Sequence, residues 1–227
     1  MEGRVSDEQA PRVGVLGGTG DLGRGLARRW AAAGVPVVLG SRDAARAQEA
    51  ADALNSELSP DVPVAGAANA DCARAAQVAV VAVPWEGHAA LLEECRDALA
   101  GKVVVDVVNP LGFDERGAFA LPVEQGSACQ QAQALLPSST VVGAFHHVSA
   151  VLLLDPEVTA LELDVLVLGD DRAATDTVQA LAERLPGVRG VYGGRLRNAH
   201  QVEALTANLI SVNRRYKTHA GVRVTRP

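Results

Sequence analysis

Gly18, Gly20 and Gly23 stand in G-x-G-x-x-G spacing, after the apolar run Val13-Gly-Val-Leu16 and before the helical stretch Leu22 to Trp30. A strand, a glycine turn and a helix start in that order form a cradle for a pyrophosphate. One glycine permits the tight turn, the next lets the backbone approach the ligand, and the third lets the helix pack on the strand. The helix then offers free N–H groups and a partial positive charge to the anion. A bare glycine triplet also suits an ordinary turn; the flanking strand and helix point to a dinucleotide. The next strand, Val37-Val-Leu-Gly40, closes on Ser41-Arg42 with no acid at its tip. An NAD site places a carboxylate there for the ribose hydroxyls, whereas NADP needs cations and hydroxyls for its 2′-phosphate. Arg42 can grip that phosphate through its planar fork, Ser41 can donate a hydroxyl, and Arg46 can add charge one turn on. The competing reading is of solvated surface arginines, with Asp43 placed to pair with either.

Three further clusters follow apolar runs, at the strand ends where open α/β sheets bind ligands. Val83-Pro84-Trp85-Glu86 offers an indole to the cleft wall or to the core. Asp106-Val-Val-Asn109-Pro110-Leu111 offers an amide for a carboxamide or ribose, although Asn-Pro also starts turns. Gly143-Ala-Phe-His146-His147-Val-Ser149-Ala150 carries two adjacent imidazoles. Neighbours on a strand face opposite ways, so only one of the pair is expected to face the crevice as a donor, with a structural histidine as the alternative. No metal is expected, because no H-x-x-x-H or nearby carboxylate set completes a site. Ser149 has no nucleophile-elbow sequence and Cys72, Cys95 and Cys129 lie in no reactive motif, which leaves nucleophilic catalysis without support.

These clusters need a scaffold, and the chain alternates apolar runs with helical patterns as a parallel sheet does. Strands are expected near 12–16, 36–39, 63–66, 78–83, 102–106 and 140–145, then at 163–168 and 188–192. Helices are expected at 20–33, 44–57, 86–99, 173–185 and 196–215, with a short one at 70–76. Asn109 to Gly126, with two Pro and three Gly and no clear period, reads as a long loop over a site. The fold class is therefore α/β, a Rossmann-type doubly wound, mostly parallel sheet, and no linker or repeat divides its C-terminal part from the rest.

At 227 residues the chain can bury a substantial core, and with only 3% aromatic residues Val, Leu and Ala must fill it. A net charge of −6 without a basic patch argues against nucleic acid. Three scattered cysteines suit a reducing cytoplasm better than a disulfide framework. The start, Met1 to Pro11, is polar, with neither signal core nor membrane span, and reads as a frayed tail. The basic stretch Asn213-Arg-Arg-Tyr-Lys217 suits a cleft rim for an anion or the end of a helix complementing its dipole.

Together, Gly17 to Gly23, Gly40-Ser41-Arg42 with Arg46, Val83 to Glu86, Gly143 to His146 with Ala150, and Arg195-Leu-Arg-Asn198 with Glu203-Ala-Leu-Thr206 make the chain resemble NADPH-dependent coenzyme F420 reductases. The resemblance runs from about Arg12 across nearly the whole chain. It implies reversible hydride transfer between NADP and the deazaflavin F420, an anionic coenzyme with a phosphate and a polyglutamate tail. It further implies Thr19, Gly20, Asp21 and Leu22 at the NADP pyrophosphate, Trp85, Leu111 and Ala150 on the remaining NADP surface, and Ala150 and a residue near Gly221 at the deazaflavin. His146 is implied as the catalytic-site donor to that ring. A homodimer is implied too, as is a division into a Rossmann domain, 1–150, and a small C-terminal α/β lobe, 151–227, closing the deazaflavin cleft. Two other functions compete on the same scaffold: an NADPH-dependent reductase of an imine, keto acid or metal chelate, and a non-catalytic NADPH-binding regulator.

Overall fold

A computed structural model describes residues 10–226; most of the polar start, residues 1–9, lies outside it. Short valine-rich runs form the centre: β1 (Val13–Leu16), β4 (Val78–Val81) and β5 (Val103–Asp106), flanked by β2 (Val37–Ser41), β3 (Ala65–Ala68) and β8 (Thr140–Gly143). Every residue of β1, β2 and β4 is buried, as expected for parallel strands covered on both faces. The order β3-β2-β1-β4-β5-β8 continues through β9 (Leu163–Gly169) and β10 (Val188–Gly194) into one eight-stranded sheet. Only the β8–β9 pairing is antiparallel, with Gly143 opposite Leu168. The sheet is thus Rossmann-type and mostly parallel. The order in which the chain adds strands reverses between β1 and β4, where open sheets of this kind leave a crevice.

Helices cover both faces. On one, α1 (Asp21–Ala32), α2 (Ala44–Leu58), α6 (Ala150–Leu154) and α7 (Arg172–Glu183) bury Leu26, Trp30, Leu54, Leu153 and Leu181. On the other, α3 (Asn69–Ala75), α4 (His88–Leu99), α5 (Ala128–Leu135) and α8 (Ala199–Tyr216) bury Cys72, Leu92, Cys129 and Ala199. None of the described helices is long and apolar enough to cross a membrane. The buried Arg29 guanidinium docks α6 on α1: it donates to the carbonyls of Leu152, Leu153, Asp155 and Val158 at 2.6–2.9 Å. Four carbonyls left by a short helix and its exit are satisfied by one side chain.

The main departure from expectation is the segment after Asn109. Instead of a structureless loop it forms an antiparallel hairpin, β6 (Leu111–Asp114) and β7 (Gly117–Ala120). The Asp114 carboxylate closes the turn by accepting from the N–H groups of Arg116 and Gly117 at 2.8 and 3.1 Å. Gly117 adopts φ +125°, which a side chain would resist. Gly112 in β6 and Gly117, Ala118 and Ala120 in β7 hide the alternation that marks a hairpin. Two helices were also unanticipated: α5, whose Ser127 cap accepts from Gln130 N–H at 3.0 Å, and the short α6.

Candidate cofactor-binding site

The turn from β1 to α1 has the shape the glycine spacing requires, with one shift in role. The left-handed residue is Gly17, at φ +71°, one position earlier than the fingerprint alone assigns the tight turn. A Cβ on Gly23 would come within 2.9 Å of Gly18 Cα, so that glycine lets helix and strand touch. A Cβ on Gly20 would find nothing nearer than 3.6 Å, and the backbone there is open to a ligand. Thr19, Gly20, Asp21 and Leu22 all stand at this helix entrance, with Asp21 turned to Arg24 at 3.1 Å. The turn is braced from beneath by Asn69, the first residue of α3. Only 2% exposed, its Oδ1 accepts from Gly17 N–H at 3.1 Å, while Gly18 N–H donates to the Gly40 carbonyl at 2.8 Å.

At the end of β2, Ser41 is buried and its hydroxyl oxygen accepts from Asp43 N–H at 3.2 Å. That leaves its proton free for another acceptor. Asp43 does not pair with the arginines. Its carboxylate caps α2, accepting from the N–H groups of Ala45 and Arg46 at 2.9 and 3.4 Å. Arg42 and Arg46 are exposed, and neither forms an ion pair among the described residues. Two unneutralised cations and a hydroxyl at the carboxyl end of β2 fit a phosphate.

Trp85, in a single 3-10 turn after β4, is half-buried, so the cleft-wall and core readings meet in one side chain. Its ring lies 5.5 Å from that of His88, tilted by 31°. His88 is fully buried, with Nε2 2.7 Å from Asp106 Oδ2 and Nδ1 2.9 Å from Gln131 Oε1. Burial alone would lower the His88 pKa. The facing Asp106 charge and hydrogen bond, aided by Gln131, overcome that and hold it above the ordinary 6.5. Asp106 also accepts from Val108 N–H at 2.9 Å and so shapes the turn that carries Asn109. Asn109 in turn donates to the His146 carbonyl at 2.7 Å, and its Oδ1 is buried without a described partner. Leu111 opens the hairpin immediately beyond.

The two histidines contact different elements, Cys129 of α5 and Leu166 of β9, and both are buried, at 2% and 4% exposure, so neither imidazole opens onto the crevice in this conformation. The reason is local: Phe145 sits at φ +60°, locked edge-on against Trp30 at 5.5 Å, and turns the chain inward after β8. His146 Nε2 faces Cys129 Sγ at 3.6 Å, and its carbonyl is held by Asn109 and by the Thr206 hydroxyl at 2.9 Å. His147 Nε2 accepts from Leu166 N–H at 3.4 Å. The carboxylate absent near the histidines in sequence arrives from α8: Glu203 lies with Cys129 and His146 in a cluster whose ligand atoms are within 4.8 Å of one another. Both Glu203 oxygens are occupied, accepting from the N–H groups of Ala128 and Cys129 at 2.9 and 3.1 Å. His146 Nδ1 has no acceptor of the kind that supports a metal-bound imidazole. The donor set therefore fits a hydrogen-bonded network. Burial first, then the Asp106 and Glu203 charges, push the Cys129 thiol well above its ordinary pKa; burial likewise raises Cys72 to about 12 and Cys95 to about 11. Thiols held protonated in this way are poor nucleophiles.

Burial, and next the neighbouring His146, push the His147 pKa down from 6.5 to about 4, and burial lowers His146 as well. Both are neutral when folded, while the unfolded chain takes up protons near the ordinary histidine value. Their contribution is fully present above 6.5 and is lost as pH falls toward about 4. Urea denaturation at about pH 7 and about pH 5 should show the protein weaker at the lower value, with the difference reduced in His147→Gln. Equal midpoints at both pH values would contradict a buried neutral pair.

Toward the C-terminus, Ala150 begins α6 beside Ser149, whose Oγ lies 3.5 Å from His219 Nδ1. Gly221 rests on Leu163 at the start of β9, where a Cβ would come within 3.0 Å. The cradle, the Ser41-Arg42 tip, Trp85, Asn109 and Leu111 follow strands at one edge of the sheet. Ala150 and the chain around Gly221 approach from the β9 side. Asn69 and His88 had no signal in sequence, and Glu203 stood only within the Glu203-Ala-Leu-Thr206 segment of the resemblance, with no role attached.

A protein-family profile described as NADP oxidoreductase, coenzyme F420-dependent, matches residues 12–110. The F420-dependent NADP reductase of Methanothermobacter marburgensis is 38% identical over 221 residues, covering 94% of this chain and 98% of that protein. That of Methanocaldococcus jannaschii is 33% identical over 220 residues, covering 94% and 98%. Among solved structures, a candidate F420-dependent NADP reductase from Arthrobacter sp. superposes with a TM-score of 0.80 at 29% identity, covering 95% of this chain and all of that one.

Proposed function

This chain belongs to the coenzyme F420-dependent NADP oxidoreductase family, and from that membership we propose how its residues divide the work of the reaction. The protein is an oxidoreductase that transfers hydride reversibly between NADP(H) and the deazaflavin coenzyme F420. The observation that carries this conclusion is identity of 33–38% sustained over 94% of the chain to three F420-dependent NADP reductases. A silent regulator and a reductase of an imine, keto acid or metal chelate are not favoured: the metalloreductase STEAP3 of Rattus norvegicus, 33% identical over 203 residues, is matched over only 38% of its own length.

The nicotinamide and deazaflavin rings supply the hydride donor and acceptor carbons, so the protein's task is geometry and electrostatics. Thr19, Gly20, Asp21 and Leu22 hold the pyrophosphate at the α1 N-terminus, which the open backbone at Gly20 supports. Ser41, Arg42 and Arg46 hold the 2′-phosphate, supported by the lack of an ion-pair partner for either arginine among the described residues. Trp85, Leu111 and Ala150 line the rest of the NADP surface. Asn109, with its orphaned buried acceptor, joins them as a residue for an amide donor. Ala150 and Gly221 border the deazaflavin, with residues 151–227 as the lobe that closes its cleft. His146 is assigned to that ring's side of the site. Its burial and its carbonyl contacts favour shaping the wall over direct proton transfer.

Mixing the protein with NADP and reduced F420 should restore the visible absorbance of the oxidised deazaflavin. No change at high protein concentration, with NADPH still bound, would overturn the reading. A homodimer in the cytoplasm completes the proposal. Phe113 and Phe119, 70% and 44% exposed on the hairpin, supply an apolar surface for a second copy. Sedimentation at the mass of one chain would rule the dimer out.

A further inference from the structure

The segment after α8 has no regular structure, yet it is tied down at both ends. Asn213 holds its start: the Asn213 carbonyl accepts from Thr218 N–H at 3.4 Å and its side chain accepts from Ala220 N–H at 2.6 Å. Its far end is held by Asp164 in β9, a carboxylate with no exposure at all. Asp164 takes both prongs of Arg189 from the adjacent position of β10, at 2.7 and 2.6 Å. It also accepts from Val224 N–H at 2.7 Å, and its own N–H donates to the Val222 carbonyl at 2.8 Å. Arg189 closes the ring by donating to the Val224 carbonyl at 2.9 Å. The Arg189 hydrogen bonds and the Val224 N–H hold the Asp164 carboxyl below its ordinary range.

A buried carboxylate is a poor way to gain stability alone, because a well-packed apolar side chain does as well. What the arrangement provides is a fixed position for the strap. Leu168 pairs with Gly143, and β9 runs antiparallel to β8, so the start of β9 projects past the carboxyl end of β8 toward the edge that bears the crevice. The strap crosses there, with His219 beside Ser149 and Gly221 on Leu163.

We propose that Asp164 and Arg189 are positioning residues: by clamping Val222–Val224 they hold His219 to Gly221 against the Ser149–Ala150 corner as one wall of the deazaflavin site. The inference rests on the F420 reading above. It assigns the clamp no contact with NADP, whose cradle lies on β1 and β2.

The test uses the full chain with Asp164→Asn, which puts an amide where Arg189 and Val224 both donate. A second variant, Val224→Pro, deletes one N–H in the strap, outside every helix and strand, and serves should the first fail to fold. Hydrogen exchange of residues 218–224 reports whether the strap has loosened. Quenching of deazaflavin fluorescence gives F420 affinity, and calorimetry gives NADPH affinity. Faster strap exchange with F420 affinity reduced about tenfold or more, the scale of one lost charged hydrogen bond, and NADPH affinity unchanged is the expected result. A strap that loosens while F420 affinity stays intact overturns the inference, as does a strap whose exchange neither variant alters. Parent protein that binds NADPH but no F420 sinks the underlying reading instead, and that result is visible before any variant is made.

Discussion

Replacing Arg42 with Ala should weaken NADPH binding by about 1–3 kcal/mol, the range for hydrogen bonds to a charged group, and leave NADH binding nearly untouched. The reasoning starts from what Arg42 lacks. It is exposed and has no ion-pair partner among the described residues, because Asp43 is committed to capping α2. Its loss therefore leaves no buried group unpaired and costs little stability. The 2′-phosphate is the one feature separating NADPH from NADH, so the variant should lose preference between them. Arg42→Lys should recover only part of the loss, since a point charge cannot reproduce a planar two-pronged grip. Calorimetric titration with both nucleotides provides the measurement. Equal NADPH affinity in parent and Ala variant would remove Arg42 from the site and leave Ser41 and Arg46 to account for any NADPH preference.

The parts of this site that sequence made legible are those whose logic is local. A valine run, a glycine spacing and the two residues closing the next strand lie within one stretch of chain, and backbone sterics convert them directly into a turn, a helix start and a strand tip. Even there the left-handed residue is Gly17, which lies just before the G-x-G-x-x-G triplet. The parts that sequence hid are braces spanning great distances along the chain. Asn69 reaches Gly17 across 52 positions, Glu203 reaches Ala128 across 75, and Arg29 reaches Leu153 across 124. Nothing in the neighbourhood of an Asn, Glu or Arg reveals a backbone partner so remote. The hairpin was hidden for a different reason: a side-chain turn at Asp114 sets its register, while Gly112, Ala118 and Ala120 blur the alternation of its strands.

The histidines illustrate the boundary between the two. Strand alternation, which expected one of His146 and His147 to face the crevice, does not apply here, because β8 ends at Gly143 and both lie in the turn that follows. It could not anticipate that Phe145, in a conformation unusual for an aromatic residue, turns both imidazoles into packed surroundings. Strain of that kind persists only where surrounding contacts over-determine it, and here Trp30 does so from α1, the helix that starts at the pyrophosphate cradle. The wall after β8 and the cradle after β1 are thus mechanically joined through one aromatic pair.

Asp106→Ala should be the most damaging single change near the site, costing about 3–5 kcal/mol of stability, the usual consequence of removing one partner of a buried ion pair. Asp106 and His88 are both fully buried and 2.7 Å apart, so the variant strands an imidazole and leaves Val108 N–H without its acceptor. Asp106→Asn keeps an acceptor for Val108 and should cost less. The pH dependence separates the charge from the shape. Because His88 is held above 6.5 in the folded chain, the pair's contribution is fully present below that value and is lost as pH rises through the raised one. That alkaline slope, opposite in sign to the His147 effect, should vanish in Asp106→Asn while the acid-side loss remains. The damage should also reach function. Trp85 leans on His88, and Asn109 hangs from the turn that Asp106 shapes, so F420 and NADPH turnover should fall in the Ala variant even at temperatures where it stays folded. Urea denaturation from about pH 6 to about pH 9 decides the matter: parent stability without an alkaline decline would mean that the pair carries no charge, and an Ala variant as stable as the parent would mean that it carries no weight.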